Sequence, residues 1–142
     1  MIAIDSNLLV YAHREDSPWC EATRRCLVDL AESGRRWAIP WPCVNEFLSV
    51  VTHPRIYKPP STSAEALAEL DGLLAAPAAC LISETEATFG IHSRLLKESR
   101  AVGPLVHDAR IVSICLSHGV DELWSADRDF SRFKGLKIRN PL

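Results

Sequence analysis

Residues 1–14, MIAIDSNLLVYAHR, decide the fold. MIAID is an apolar run of strand length that ends on an acid, and NLLVYAHR behind it places Leu8, Leu9 and Ala12 at helical spacing. A short buried strand therefore passes directly into a helix, and the rest of the chain repeats that alternation. After the start signal Asp16-Ser17-Pro18, a helix through PWCEATRRCLVDLAESG aligns Trp19, Ala22, Cys26, Leu27 and Leu30 and stops at Gly34. RWAIPW reads as a second strand. CVNEFLSVVTH carries Val44, Phe47, Leu48 and Val51 at spacings of three and four, and Pro54 closes it. The YKPPSTS loop leads into a capping box, Thr62 to Glu65, and an alanine- and leucine-rich helix. ACLISE is a third strand. Two further helices follow, TEATFGIHSRLLKESRA and HDARIVSICLSHG, the second with Ala109, Val112, Cys115 and Leu116 on its apolar face and Gly119 at its end. ELWSAD supplies a fourth strand and LKIRN a fifth. The expectation is an α/β fold: one domain, residues 1–142, with a mostly parallel central sheet and helices on both faces.

Composition agrees with an ordinary globular chain. Hydrophobic residues make up 47% and charged residues 24% of 142 positions, and no apolar run approaches the ~20 residues that span a bilayer. The N-terminus lacks a basic region and a small-residue cleavage site, so no signal peptide is expected and the chain reads as cytoplasmic. Five cysteines, odd in number and without a C-x-x-C pair, argue against a disulfide framework and a zinc site. The formal charge of −2 does not point to nucleic acid, but its distribution is uneven. Arg128, Arg132, Lys134, Lys137 and Arg139 crowd the last fifteen residues against one acid, Asp129.

In a parallel α/β sheet, ligands bind beyond the carboxyl ends of the strands. Asp5 ends the first strand, and Asp127 ends the fourth. Glu46 lies in the first turns of the helix after strand two, and Asp108 opens the helix that begins at His107. Taken singly, Asp108 reads equally well as a helix cap and Glu46 as part of a solvated face. Taken together they need a cation, because two carboxylates ~4 Å apart repel by roughly 4 kcal/mol at an effective dielectric of ~20. An all-oxygen ligand set suits Mg²⁺ or Mn²⁺, ions that activate water for attack on phosphorus.

Other α/β chemistries lack their residues. There is no G-x-x-x-x-G-K-[ST] and no G-x-G-x-x-G to cradle phosphates. A haloacid-dehalogenase-type phosphatase needs an acid two residues after Asp5, where Asn7 stands, and a response-regulator receiver needs paired acids that are absent.

With Asp5-Ser6-Asn7 after the first strand, Glu46 in VNEFLSVV, Asp108 in VHDARI and Asp127 in WSADRDF, the sequence resembles the PIN-domain ribonucleases of the VapC toxin type over its full length. The resemblance implies a Mg²⁺- or Mn²⁺-dependent endoribonuclease, a homodimer, and an antitoxin that inserts a C-terminal segment into the active site. It assigns Asp5, Glu46, Asp108 and Asp127 to the acidic metal site, and Asn7 and Ser125 to positions that orient water or acids. Asp129 reads either as a further group on a metal-bound water or as the cap of the turn before Phe130, with the cap favoured. Arg128, between Asp127 and Asp129, is the first candidate for a phosphate contact, followed by Arg132 and Lys134; its structural alternative is an ion pair with the flanking acids. Self-association is expected to draw on Trp19, Trp41, Tyr57, Leu8 and Tyr11. Asp5→Asn and Asp127→Asn should each remove a repelling charge and leave the fold intact. The alternatives are a binding module that holds RNA or protein without cleaving it, and a metal-dependent DNA nuclease.

Overall fold

The computed structural model describes residues 1–142. Its centre is β1 (Ile2–Ile4), flanked by β2 (Trp37–Pro40) and β4 (Glu122–Trp124), with β3 (Ala79–Ile82) and β5 (Lys137–Arg139) at the edges. The order is β3-β2-β1-β4-β5, and every pairing is parallel. Strands covered on both faces have no polar side to show, which is why IAI and WAIP are buried at every position. The β5 edge is blunted by the exposed Lys137 and Arg139, a charged border that resists pairing with another sheet.

Six helices connect the strands: α1 (Ser6–His13), α2 (Cys20–Glu32), α3 (Trp41–Val51), α4 (Ser63–Leu74), α5 (Thr88–Ser99) and α6 (Leu105–Ser117). The chain steps outward from β1 to β2 to β3, then returns to β4 on the other side of β1. Right-handed crossovers in opposite directions put their helices on opposite faces. Packing follows that division, with α1 against α2 and α3, α3 against α4, and α5 against α6. The reversal leaves a crevice at the carboxyl ends of β1 and β4.

A single cluster of 32 buried apolar residues forms the core. Helix α6 is buried more widely than its apolar stripe implied, with Ile111, Ser113 and Ile114 enclosed as well as Ala109, Val112 and Cys115, because α5 covers the side turned from the sheet. Helix α2 begins at Cys20, later than the Ser17-Pro18 signal suggested. The Ser17 carbonyl accepts from Cys20 N and its Oγ from Trp19 N, which holds residues 17–19 as a turn. The buried stripe is accordingly Cys20, Thr23, Leu27 and Leu30, while Trp19 and Ala22 face outward. Strand β4 ends at Trp124, three residues before Asp127, and α6 opens at Leu105, so Asp108 lies inside its first turn. Of the five residues expected at a self-association surface, Leu8 is wholly buried and Tyr57 is covered by the Arg14 guanidinium, 4.1 Å from its ring centre. Trp19 and Trp41 are the exposed ones, at 50% and 44%. All five cysteines are free thiols, and no helix is long and apolar enough to cross a membrane.

The α4 capping box is present in full: Thr62 Oγ1 accepts from Glu65 N and Glu65 Oε2 from Thr62 N, each at 3.1 Å. Thr62→Ala should cost about 1 kcal/mol by denaturant unfolding, whereas Ser63→Ala, one residue into the helix, should change stability little. Equal effects would remove the box as the element that starts α4.

Candidate active site

Asp5 leaves β1 and caps α1, its Oδ1 accepting from Ser6 N at 2.8 Å. The residue is 3% exposed, and further donors converge on its carboxylate. Asn7 Nδ2 donates to Oδ2 at 2.7 Å, Ser125 Oγ donates to the same oxygen at 2.6 Å, and Cys43 Sγ lies 3.6 Å from Oδ1. Burial still outweighs these bonds and holds the Asp5 pKa above the ordinary carboxylate value.

Ser125 is bound from three directions. While donating to Asp5, its Oγ accepts from Asn7 Nδ2 at 3.0 Å and from Asp127 N at 2.9 Å. Asn7 Oδ1 in turn accepts from Ala126 N at 3.3 Å. These bonds tie the segment after β4 to the start of α1 and fix where Asp127 emerges.

Asp127 Oδ1 accepts from Asp129 N at 2.8 Å and so caps the 3₁₀ turn Arg128–Arg132. The cap expected of Asp129 therefore belongs to Asp127. Asp129 instead turns its carboxylate towards the crevice, where ligand oxygens of Asp108, Asp127 and Asp129 all lie within 4.8 Å of one another. Glu46 stands on α3 across the cleft, its Oε2 accepting from Ser6 Oγ at 2.8 Å. Ser6 thus links Glu46 to Asp5, a role that a serine after an acid does not announce.

The acids form two tiers. Asp5 lies beneath, saturated with donors. Glu46, Asp108, Asp127 and Asp129 line an open cleft of about 450 Å³, with His107 and Arg110 on its wall. Asp108 bears the strain: burial first, then the charges of Asp127, Asp5, Asp129 and Glu46, push its pKa to about 6. Asp127 and Asp129 are exposed, so water screens their mutual repulsion below the figure for a dry pair. No basic side chain pairs with any of these acids. Arg110, the cation on the wall, is bonded through Nε to Glu84. Arg128, Arg132 and Lys134 are exposed, and Arg128 makes no ion pair with its flanking acids. An uncompensated, all-oxygen donor set at the mouth of a cleft fits a hard divalent cation such as Mg²⁺ or Mn²⁺.

Residues 2–136 match the family model described as the PIN domain. The chain is 34% identical over 142 residues to VapC ribonuclease Mb2897 of Mycobacterium bovis, covering all of this chain and 96% of that protein. It is 31% identical over 139 residues to ribonuclease VapC48 of Mycobacterium tuberculosis, covering 96% and 94%. Among solved structures, it resembles VapBC2 of Rickettsia felis bound to a promoter DNA fragment (TM-score 0.72, 19% identity, 98% of both chains). It also resembles VapC20 of Mycobacterium tuberculosis, a sarcin-ricin loop cleaving toxin (TM-score 0.69, 13% identity, 98% and 99%).

The two tiers answer differently to charge removal. Asp5→Asn turns an amide N–H₂ towards groups that are themselves donors, and Ser125 cannot reverse its bond because it already accepts twice; an unmet buried donor costs about 1–3 kcal/mol. For Asp5 this network predicts a loss of stability in place of the fold-neutral outcome expected from the sequence. Asp5→Asn should lower the melting temperature, and Asp127→Asn, whose Oδ1 can still cap the turn, should keep or raise it. Equal shifts would dissolve the distinction between tiers.

A second expectation concerns pH. Because the folded Asp108 pKa of about 6 lies above its ordinary 3.8, the folded state binds the proton more tightly. Its contribution to stability therefore rises as pH falls from 7 through 6 towards 4. Without divalent ions, the difference in melting temperature between wild type and Asp108→Asn should shrink over that range; a constant difference would refute the raised pKa.

Proposed function

The chain belongs to the PIN-domain family, and from that premise we propose that it is a Mg²⁺- or Mn²⁺-dependent endoribonuclease, the toxin of a toxin–antitoxin pair. The carrying observation is the cluster of Asp108, Asp127 and Asp129 with no cationic partner, open to a cleft that Glu46 faces. Relatives named as ribonucleases match over the whole chain, which supports RNA as the substrate.

In this reading Asp108, Asp127 and Asp129 would hold the ion, with Glu46 facing them across the cleft. A divalent ion bound there would supply charge stabilisation at phosphorus and would make a water acidic enough for attack near neutral pH. The protein's part is geometry. Asp5 positions Asn7, Ser6 and Ser125; Ser125 fixes the Asp127 backbone; Ser6 fixes Glu46. With Oε2 bonded to Ser6, Glu46 keeps Oε1 without a protein partner, and this oxygen accepts the proton of the attacking water. Arg128, exposed beside Asp127, contacts a backbone phosphate, and Arg132 and Lys134 extend that path.

The antitoxin and a second copy of the chain are the proposed protein partners. Similarity to structures named VapBC and FitAB supports the first, and the exposed Trp19 and Trp41 support a contact with one of them.

Incubating the protein with matched RNA and DNA oligonucleotides, with Mn²⁺ or with chelator, tests the function. RNA should be cut only with metal, and Asp108→Asn and Asp127→Asn should abolish cutting. DNA cleavage alone would move the assignment to a DNA nuclease; binding without cleavage would make the fold a recognition module. Millimolar Mn²⁺ should raise the melting temperature of the wild type and much less that of Asp127→Asn. Arg128→Ala in an Asp127→Asn background should weaken all RNA sequences alike and lower the salt slope by about 0.7–1; an unchanged slope would shift the phosphate path towards Arg132 and Lys134.

A further inference from the structure

A second cleft opens beside the acidic one. Its volume is about 440 Å³, and His107 and Arg110 belong to the walls of both. At its far side Phe89, in the first turn of α5, is 81% exposed, the most exposed large apolar side chain in the protein. A single exposed ring is ordinary by itself, but this one stands in a cleft that shares two wall residues with the acidic one.

The surroundings specify the cover. His92, one turn further along α5, lines the same cleft, and its Nδ1 lies 3.3 Å from Ser113 Oγ, which fixes the ring. Arg110 spends its Nε on Glu84 and leaves both terminal nitrogens without a protein partner at the junction of the two clefts. Planar rings and a free guanidinium edge in one groove are the equipment for unpaired bases and the phosphates between them. The cleft exposes mostly apolar atoms, as a surface for stacking rings does, with the unpaired Arg110 nitrogens at one end to meet a phosphate. Thr88 Oγ1 meets Ser117 Oγ at 3.2 Å, and Ser117 is nine residues, about 14 Å of helix, from Asp108. Phe89 follows Thr88 in the chain yet shares its cleft with His107 and Arg110, the residues on either side of Asp108, so the cleft leads from Phe89 towards the acids.

Resting on the ribonuclease reading above, we propose that the cleft between α5 and α6 is the base-recognition subsite of the enzyme: Phe89 stacks on an unpaired base a few nucleotides from the scissile phosphate, and Arg110 contacts the phosphate between. The second cleft thus selects RNA whose strand is unpaired on that side of the cut and rejects continuous duplex, which cannot offer a face to Phe89.

The test is an abasic scan. Short single-stranded RNA oligonucleotides, each lacking one base, are bound to full-length protein made cleavage-dead by Asp127→Asn, with Phe89 intact or replaced by Ala, Leu or Trp. With Phe89 intact, removing the base at one position should weaken binding by about 5- to 150-fold, the worth of one stacked base. In Phe89→Ala that position should become indifferent, and Phe89→Trp should restore it where Phe89→Leu does not. A 2-aminopurine placed there should be quenched in the Phe89 protein and bright in Phe89→Ala. In the cutting enzyme, Phe89→Ala should raise KM with kcat little changed.

Uniform loss across the scan, or a full scan profile in Phe89→Ala, overturns the subsite and leaves the nuclease assignment intact if wild type still cuts RNA. Conversion of a dimer to a monomer by Phe89→Ala, with binding per chain unchanged, assigns the ring to a second copy of the chain and overturns it too. Failure of the wild type to bind any RNA overturns both readings together.

Discussion

The carboxylate of Asp5 is the point on which the site depends. It lies where β1 turns into α1, with α3 and the segment after β4 brought against that turn, and it accepts from Ser6 and Asn7 of α1, Cys43 of α3 and Ser125. A carboxylate only accepts, so every neighbour must donate, and that requirement fixes the orientations of Asn7 and Ser125. Once Ser125 donates to Asp5, its lone pairs are available to Asn7 and to the Asp127 backbone. One buried acid thus fixes the direction of a hydrogen-bond network that reaches the cleft. The topology makes this possible, since β1 and β4 are neighbours only because the chain reverses its course after β3.

The exposed tier is set by the opposite logic. Asp108, Asp127 and Asp129 have almost no protein donors beyond the cap that Asp127 makes, so their charge is left for something outside the chain. Each rests on a stiff support: Asp108 on a helix buried along most of its length, Asp127 on a backbone bonded to Ser125, and Asp129 on the turn that Asp127 caps. Carboxylates free to swing would separate and relieve the repulsion. These are held, and burial first, with that repulsion added to it, raises the pKa of Asp108.

The alternation of strands and helices was legible because the apolar period changes abruptly at Asp5, at Pro40 and after Trp124, and a parallel sheet buried on both faces leaves an unmistakable apolar run. Asp5 and Asp127 were legible because each falls just beyond a strand, and Glu46 and Asp108 because each lies in the early turns of a helix. What the sequence concealed was which oxygen faces which neighbour. Asp127 and Asp129 stand two residues apart in one turn, and either can cap it; only the position of the backbone N–H groups decides, and it gives the cap to Asp127 while both carboxylates stay in the cluster. Ser6 was hidden for a related reason, because a serine beside a helix-capping acid is commonplace and its bond to Glu46 spans forty residues. The pairing of Arg110 with Glu84, which withholds the nearest cation from the acids, is likewise a product of tertiary packing. Trp19 illustrates the limit of periodicity: it fits the α2 stripe by count, yet the chain there is still a turn.

The separation of charge across the molecule also sets an order of events. A cleft lined by four acids repels phosphate at close range, so under the proposed function RNA would settle against it only once that charge is neutralised. The cations proposed to attract the strand stand outside the cluster, on the turn after Asp127 and at Arg110, whose one ion pair is with Glu84 and not with a cluster acid. Had Arg128 folded back onto Asp127 and Asp129, it would have quenched the cluster and blunted its claim on a divalent ion. Keeping the positive groups at the rim and the negative groups at the centre lets each bind its own counterpart. The net charge of −2 is therefore a poor guide to what this surface attracts, because the two signs act at different places and in sequence.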